Sequence, residues 1–371
     1  MLLVTWRKSG MPSRLIHKAP AMKRLLLFTI LLFWVTACAP ASTLFIPTPA
    51  PAGRSSPVVM DTATPAPTLI PTETLIPPAP TATSSPTPTL TLTPIPLGGS
   101  GEILFTSNRG TEYSDLYLLN TATSQVIRLT HGDSITFPGP FSPDGSQIVF
   151  TGFGLVHSYI GVMAADGSHV VALTDGKTTD DAFPAWSPDG KQIAFTSRRD
   201  GNNEIYVMAT DGSHPKRLTD NPRDDFAPAW SPDGKQIAFV SDRDNTAGIY
   251  SIYLMNANGS GVKRLTHTKG IDYTPSWSPD GSLIAFSSRQ PGASDIYVIR
   301  PDGSGLTTLT HSKSDNWSPA WSPDGQLIAF QTNRDGNWEI YVMNANGSNP
   351  HNLTNNPADD QMPYWRPAPP R

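Results

Sequence analysis

An all-β domain built as a ring of four-stranded blades is what this sequence predicts, and three observations predict it. The phrase Trp-Ser-Pro-Asp-Gly recurs at Trp186, Trp230, Trp277 and Trp321, with a variant at Phe141 and a remnant at Trp365, at intervals of 44 to 47 residues. Each interval holds short runs of β-formers between turn residues and no helical pattern, as one propeller blade does. The second strand of every unit carries one phenylalanine, at Phe105, Phe150, Phe195, Phe239, Phe286 and Phe330. The expected fold is therefore a six-bladed β-propeller.

Residues 184–219 serve as the type unit. Pro184-Ala185-Trp186-Ser187, Gln192 to Ser197, Glu204 to Met208 and Lys216 to Thr219 read as four short strands. Ile193-Ala194-Phe195 and Ile205-Tyr206-Val207-Met208 point neighbours to opposite faces, and both faces can pack on adjacent blades, so strict polar alternation is not expected. The tryptophans and phenylalanines are expected between blades, as core and not as a ligand platform.

The turns follow from their residues. In Ser187-Pro188-Asp189-Gly190 proline presets the first central position of a type I turn, and glycine accepts the positive φ after it. Asp211-Gly212, Asn258-Gly259, Asp302-Gly303 and Asn346-Gly347 mark the hairpin between third and fourth strands. The ends are out of phase. The chain enters at a second strand, Ile103 to Thr106, and leaves after a first-strand remnant, Met362 to Trp365. The C-terminus is thus expected to supply the innermost strand of the first blade and close the ring, which removes free edges.

Ahead of the repeats, Met22-Lys23-Arg24, the apolar run Leu25 to Val35 and Thr36-Ala37-Cys38 have the three parts of a secretory signal. Val35-Thr36-Ala37-Cys38 resembles a bacterial lipobox, with lipid on the thiol of Cys38, the single cysteine. An uncleaved anchor with an incidental cysteine is the alternative. Residues 1–21 precede a complete signal and are expected to be an over-called start, 22–37 the signal peptide, 38–97 a linker and 98–371 the propeller. Fifteen of the 38 prolines fall between Ala39 and Leu97 among threonine and alanine. Such a stretch buries no core and is expected to be a disordered, polyproline-like stalk.

A net charge of −4 with no basic stripe argues against a nucleic-acid partner. The phrases Trp-Ser-Pro-Asp-Gly, Ile-Ala-Phe, Ile-Tyr-Val-Met and Arg-Leu-Thr, in that order and in phase from about 102 to about 366, resemble the TolB propeller family, a WD-like repeat fold. The resemblance implies an interaction platform in the bacterial envelope; in TolB itself the propeller binds the peptidoglycan-associated lipoprotein. TolB proper has an α/β domain where this chain has a lipid signal and a stalk, so the fold carries over and the specific partner does not.

Four antiparallel strands per blade put the second-to-third and inter-blade loops on one face. That face is expected to carry Arg109, Arg198, Arg199, Arg243, Arg289 and Arg334 against Asp181, Asp225, Asp272, Asp315 and Asp360. Phe137, Phe183, Phe226, Tyr273 and Trp317 fall just before the inner strands, and Trp338 lies in a second-to-third loop. This rim is a candidate site for a peptide, glycan or protein tip. Alternatively, the arginines and aspartates pair across neighbouring units. Non-repeating features, Trp317, Trp338, the loop Asn245-Thr246-Ala247-Gly248 and the arginine-free Gly152-Phe153-Gly154-Leu155, are the better functional candidates.

Catalytic and metal chemistry have thin support. There is no G-x-S-x-G nucleophile elbow. His131, His267 and His311 each follow a Leu-Thr at separate blades and cannot share one ion. Asp200 to Glu204 and Asp335 to Glu339 lack calcium-loop spacing. No cofactor is expected, a divalent cation in the channel being the minor alternative. The function read from the sequence is a lipid-anchored, monomeric envelope platform binding a protein or glycan. The alternative is a polysaccharide-acting envelope lyase or hydrolase at the channel mouth, with Asp181 and Asp225 as its acid–base pair.

Overall fold

The computed structural model describes residues 101–368 apart from 111–113, 133–135, 155 and 245–247. The proposed signal, Cys38, the stalk, Leu155 and Asn245 to Ala247 lie outside the described residues. Six four-stranded antiparallel sheets follow one another, and no helix occurs among the described residues. From innermost to outermost strand, blade 2 is Thr136–Phe141, Gln147–Phe153, Ser158–Ala164 and Val171–Ala172, and blade 3 is Asp181–Trp186, Gln192–Ser197, Glu204–Ala209 and Lys216–Arg217. Blade 4 is Asp225–Trp230, Gln236–Ser241, Ser251–Asn256 and Lys263–Arg264. Blade 5 is Ile271–Trp277, Ile284–Arg289, Ser294–Ile299 and Thr307–Thr308, and blade 6 is Asn316–Trp321, Leu327–Thr332, Glu339–Asn344 and His351–Asn352.

Blade 1 is assembled from both ends of the domain. Its outer strands are Glu102–Ser107, Asp115–Asn120 and Gln125–Arg128, and its innermost strand is the C-terminal Asp360–Trp365, paired Ser107 to Asp360 and Ile103 to Trp365. The expected ring closure is therefore present. Arg366 fastens it, its amide donating to Glu102 O at 2.9 Å, its guanidinium pairing with Glu102 at 2.8 Å and donating to Gly145 O at 3.0 Å. It occupies the place of the serine in the other repeats. From this register Gly101 and Arg366 both lie on the side of the Pro-Asp-Gly turns, here the turn face; the opposite side is the loop face.

The phenylalanine series forms the core as expected. Phe105, Phe195, Phe239, Phe286 and Phe330 are fully buried and Phe150 nearly so. The tryptophans sit at the blade seams. Trp277 Nε1 donates to Ala229 O at 3.1 Å and Trp365 Nε1 to Ala320 O at 3.2 Å, each reaching the inner strand of the preceding blade. The Asp-Gly and Asn-Gly hairpins are seam contacts too. At Gly212, φ is +84° and a Cβ would lie 2.5 Å from Leu173 O of the preceding blade, so only glycine lets the turn sit there.

Each inner strand is bulged near its middle. In blades 1 and 3 to 6 the bulge puts a non-glycine residue, Met362, Phe183, Ala227, Thr274 or Ser318, at φ of 52° to 55°. The strain has a use. It turns the amide of Phe183 onto Thr151 Oγ1 (3.1 Å), of Ala227 onto Thr196 Oγ1 (3.0 Å), of Ser318 onto Ser287 Oγ (3.1 Å) and of Met362 onto Gln331 Oε1 (2.8 Å), all on the preceding blade's second strand. Successive blades are thus hydrogen-bonded at the inner rim. Val240 stands at the corresponding place in blade 4 and offers blade 5 no such acceptor.

Candidate binding face

One position near the start of the inner strands, the first residue of five and the second of Ile271–Trp277, repeats in phase as Asp360, Thr136, Asp181, Asp225, Asp272 and Asn316 around the ring. The four aspartates have at most 1% of their surface exposed. A buried carboxylate needs a partner, and the second-to-third loops supply one. Arg199 reaches Asp181 at 3.2 Å, Arg243 reaches Asp225 at 2.6 Å, Arg109 pairs with Asp360, and Arg334 donates to Asn316 Oδ1 at 3.0 Å. These contacts run within one blade, between its inner strand and its second-to-third loop, and not across neighbouring units.

Each of these arginines lies over two rings of its own blade. The Arg199 guanidinium is 5.4 Å from the Phe195 centroid and 4.7 Å from that of Tyr206, and Arg334 is 5.5 Å from Phe330 and 4.5 Å from Tyr341. Arg109 and Arg243 do the same over Phe105 and Tyr117 and over Phe239 and Tyr253. Planar stacking plus a carboxylate is arginine's particular chemistry. The Tyr253 hydroxyl donates to Asp244 at 2.9 Å, and burial with that carboxylate pushes it up to about 12. Burial also raises Asp225, to about 6, against the opposing pull of Arg243. Asp272 and Asp360 are likewise raised by burial.

Three of the rim residues stand elsewhere than the sequence suggests. Arg289 and Arg198 fall one position before the stacked arginine and are exposed; the in-phase residue in blade 5 is Gln290. Asp315 falls one position before Asn316 and belongs to a second series. In that series Asp180, Asp224, Asp315 and Asp359 accept the amides of Ser158, Asn203, Ser294 and Trp338 of the preceding blade at 2.9 to 3.0 Å. Successive aspartates therefore do different work, one inside its blade and one between blades. As an acid–base pair Asp181 and Asp225 are poorly placed, both being buried beneath their own arginines.

The aromatic residues lie within the inner strands rather than before them. Phe226, Tyr273 and Trp317 each follow the in-phase Asp225, Asp272 or Asn316, whereas Phe183 takes the bulge. They form a continuous arc across blades 3 to 6, with centroids 6.2 Å apart for Phe183 and Phe226, 6.4 Å for Phe226 and Tyr273, and 5.4 Å for the stacked Tyr273 and Trp317. Tyr250, which its sequence neighbourhood did not single out, wedges into the arc 5.0 Å from Phe226 and 5.7 Å from Tyr273. Tyr250 and Tyr273 are buried, and Phe226, Trp317 and Trp338 are half-buried. Phe137 lies apart, edge-on to Phe153 at 5.3 Å. Blade 2 also has glycine at 152 and 161; the ring of Tyr159 fills the space a Cβ of Gly152 would need, at 2.4 Å.

The carboxylates of the two Asp-Gly-Asn loops are taken up by protein donors. Glu204 accepts from Arg217 and Thr219 at 2.6 Å and from the Asn221 amide at 3.1 Å, and Glu339 accepts from the Asn356 amide at 2.8 Å and from Asn337 at 3.2 Å. His131, His267 and His311 are exposed on separate blades. Among the described residues no three His, Cys, Asp or Glu side chains converge on a point that could hold a metal ion. Two crevices of about 400 and 450 Å³ open on the turn face, between the Pro-Asp-Gly turns of blades 3 and 4 and of blades 5 and 6.

Residues 159–252 and 245–318 match the family model described as the TolB beta propeller domain. The folded domain is a TolB-like β-propeller. It is similar to the crystal structure of TolB from Acinetobacter baumannii, at 25% identity over 73% of this chain and 68% of that one, with a TM-score of 0.62. It is similar also to a putative TolB from Agrobacterium tumefaciens, at 24% identity over 72% of this chain and 95% of that one, with a TM-score of 0.59. Kuenenia stuttgartiensis hydrazine synthase shares the fold alone, at 18% identity and a TM-score of 0.61, over 74% of this chain and 48% of that one. No curated protein matches the sequence. Set on this TolB-like propeller, the arginine stacks belong to the blades, the aromatic arc lines the inner strands of blades 3 to 6, and Trp338 and Gln290 break the repeat.

Proposed function

We propose that this chain is a lipid-anchored platform of the bacterial cell envelope whose TolB-like propeller binds a protein or glycan on its loop face without catalysis. One observation carries this reading. The loop face gathers the aromatic arc from Phe183 to Trp317 and the exposed Arg198 and Arg289, while the arginines that repeat are held within their own blades. The likeness to TolB structures supports an interaction role, and aromatic and arginine side chains are what binding surfaces concentrate. The burial of Asp181 and Asp225 takes the acid–base pair of the enzymatic reading out of reach.

Capture from solubilised envelope with the full chain, beside an Arg198→Ala/Trp338→Ala variant, tests this. Both positions are surface-accessible, and neither side chain carries a rim arginine stack. Enrichment of one protein or glycan that the variant loses is expected. Equal recovery with both baits rules out the loop face. Cys38→Ser is expected to move the chain from the membrane to the soluble fraction, and retention in the membrane removes the lipid anchor.

A further inference from the structure

Comparison of the six blades isolates one place where a binding apparatus is built but its usual occupant is missing. In blades 1, 3, 4 and 6 a close ring pair, a hydroxyl and an inner-strand carboxylate or amide enclose one guanidinium. Blade 5 has all the walls. Phe286 and Tyr297 stack at 5.7 Å and 23°, against 5.8 to 5.9 Å for the ring pairs of those four blades. Ser288 stands where Ser197 and Ser241 stand, and Asp272 where Asp181 and Asp225 stand.

The arginine is replaced by Gln290, whose shorter side chain donates to Ser288 Oγ at 3.1 Å. Asp272, fully buried, is held by the hydroxyls of Ser288 (2.6 Å) and Thr268 (2.7 Å); Arg264 of the preceding blade acts on it through its charge, and no cation bonds to it among the described residues. A second change opens the same spot. Tyr117, Tyr206, Tyr253 and Tyr341 are 1% to 8% exposed beneath their arginines, whereas Tyr297 is half-buried. The loop aspartate that takes the tyrosine hydroxyl in blades 3, 4 and 6 is Pro291 in blade 5.

We propose that blade 5 is a guanidinium socket that receives an arginine side chain from a partner polypeptide, with the amide of Gln290 swinging aside. This rests on the platform reading and names the chemistry of the contact. The incoming guanidinium stacks on Tyr297 and Phe286, donates to Ser288 and pairs with Asp272, repeating the geometry that four blades build from their own chain. A lysine ammonium cannot lie flat on the rings while bonding both oxygens at once.

The test titrates the full chain in detergent with N-acetyl-arginine amide and N-acetyl-lysine amide, following the Tyr297 ring resonances. Saturable shifts with the arginine compound, at least fivefold weaker with lysine, are expected. Gln290→Arg fills the socket from within and is expected to raise Tm and abolish the arginine response. The proposal is overturned by an unresponsive Tyr297, by a response that survives in Gln290→Arg, or by a lowered Tm in that variant. None of these results depends on capture of the envelope partner, so this inference and the platform reading fail separately.

Discussion

Arg334 donates to Asn316 Oδ1 at 3.0 Å in the place where Arg243 meets Asp225. An amide oxygen therefore serves as well as a carboxylate beneath a stacked arginine, and the ring carries its own control for a charge removal at the rim.

Asp225→Asn is accordingly expected to fold, with Arg243 bonded to the new amide. Its effect shows in the pH dependence. Burial raises Asp225 to about 6 in the folded chain from an ordinary 3.8, so the folded state binds the proton more tightly than the unfolded. The resulting stabilisation is fully present below about pH 4 and lost as the pH rises through about 6. Denaturant titrations at pH 4 and pH 7 should show wild type losing more stability than the variant, by on the order of 2 kcal/mol. Equal losses would assign the titration to another group.

The bulge hydrogen bonds hold one blade to the next. Thr196→Val removes the hydroxyl that accepts the Ala227 amide at 3.0 Å and leaves that donor unmatched, an expected cost of about 1–2 kcal/mol. Thr196→Ser keeps the acceptor and loses only a buried methyl, so it should cost less, about 0.8 kcal/mol. Equal destabilisation by both would point to lost methyl packing instead.

Arg109 stacks in blade 1 and pairs with Asp360 of the closing strand. Arg109→Ala leaves a fully buried carboxylate without its cation, expected to cost about 3–5 kcal/mol. Adding Asp360→Asn should recover part of the loss, as a melting series of the two single variants and the double would register. No recovery would mean that stacking, not the ion pair, carries Arg109.

Truncation before Asp360 removes the innermost strand of blade 1 and exposes the inner edge of Glu102–Ser107. An unpaired edge recruits other strands. Size-exclusion chromatography of the truncated chain should show aggregates, and a stable monomer would mean that the ring does not need its C-terminal clasp.

The sequence by itself determined the number of blades, the strand-by-strand composition of each, the turn chemistry and the closing of blade 1 by the C-terminus. Those features depend on local residue preference and on a repeat long enough to be counted, and Phe105 through Phe330 mark them without any coordinates. Only the tertiary structure decided what the rim residues do. In a strand, one position of offset sends a side chain to the other face, so Arg289 and Gln290, or Asp315 and Asn316, look interchangeable beside a loop until pairing fixes their phase. The positive-φ bulges at Phe183, Ala227, Ser318 and Met362 leave no glycine to betray them, because the acceptor that compensates the strain lies on another blade, some 31 residues away for Ala227 and Thr196. Tyr250 joined the aromatic arc for the same reason: its partners Phe226 and Tyr273 reach it through the packing of neighbouring blades.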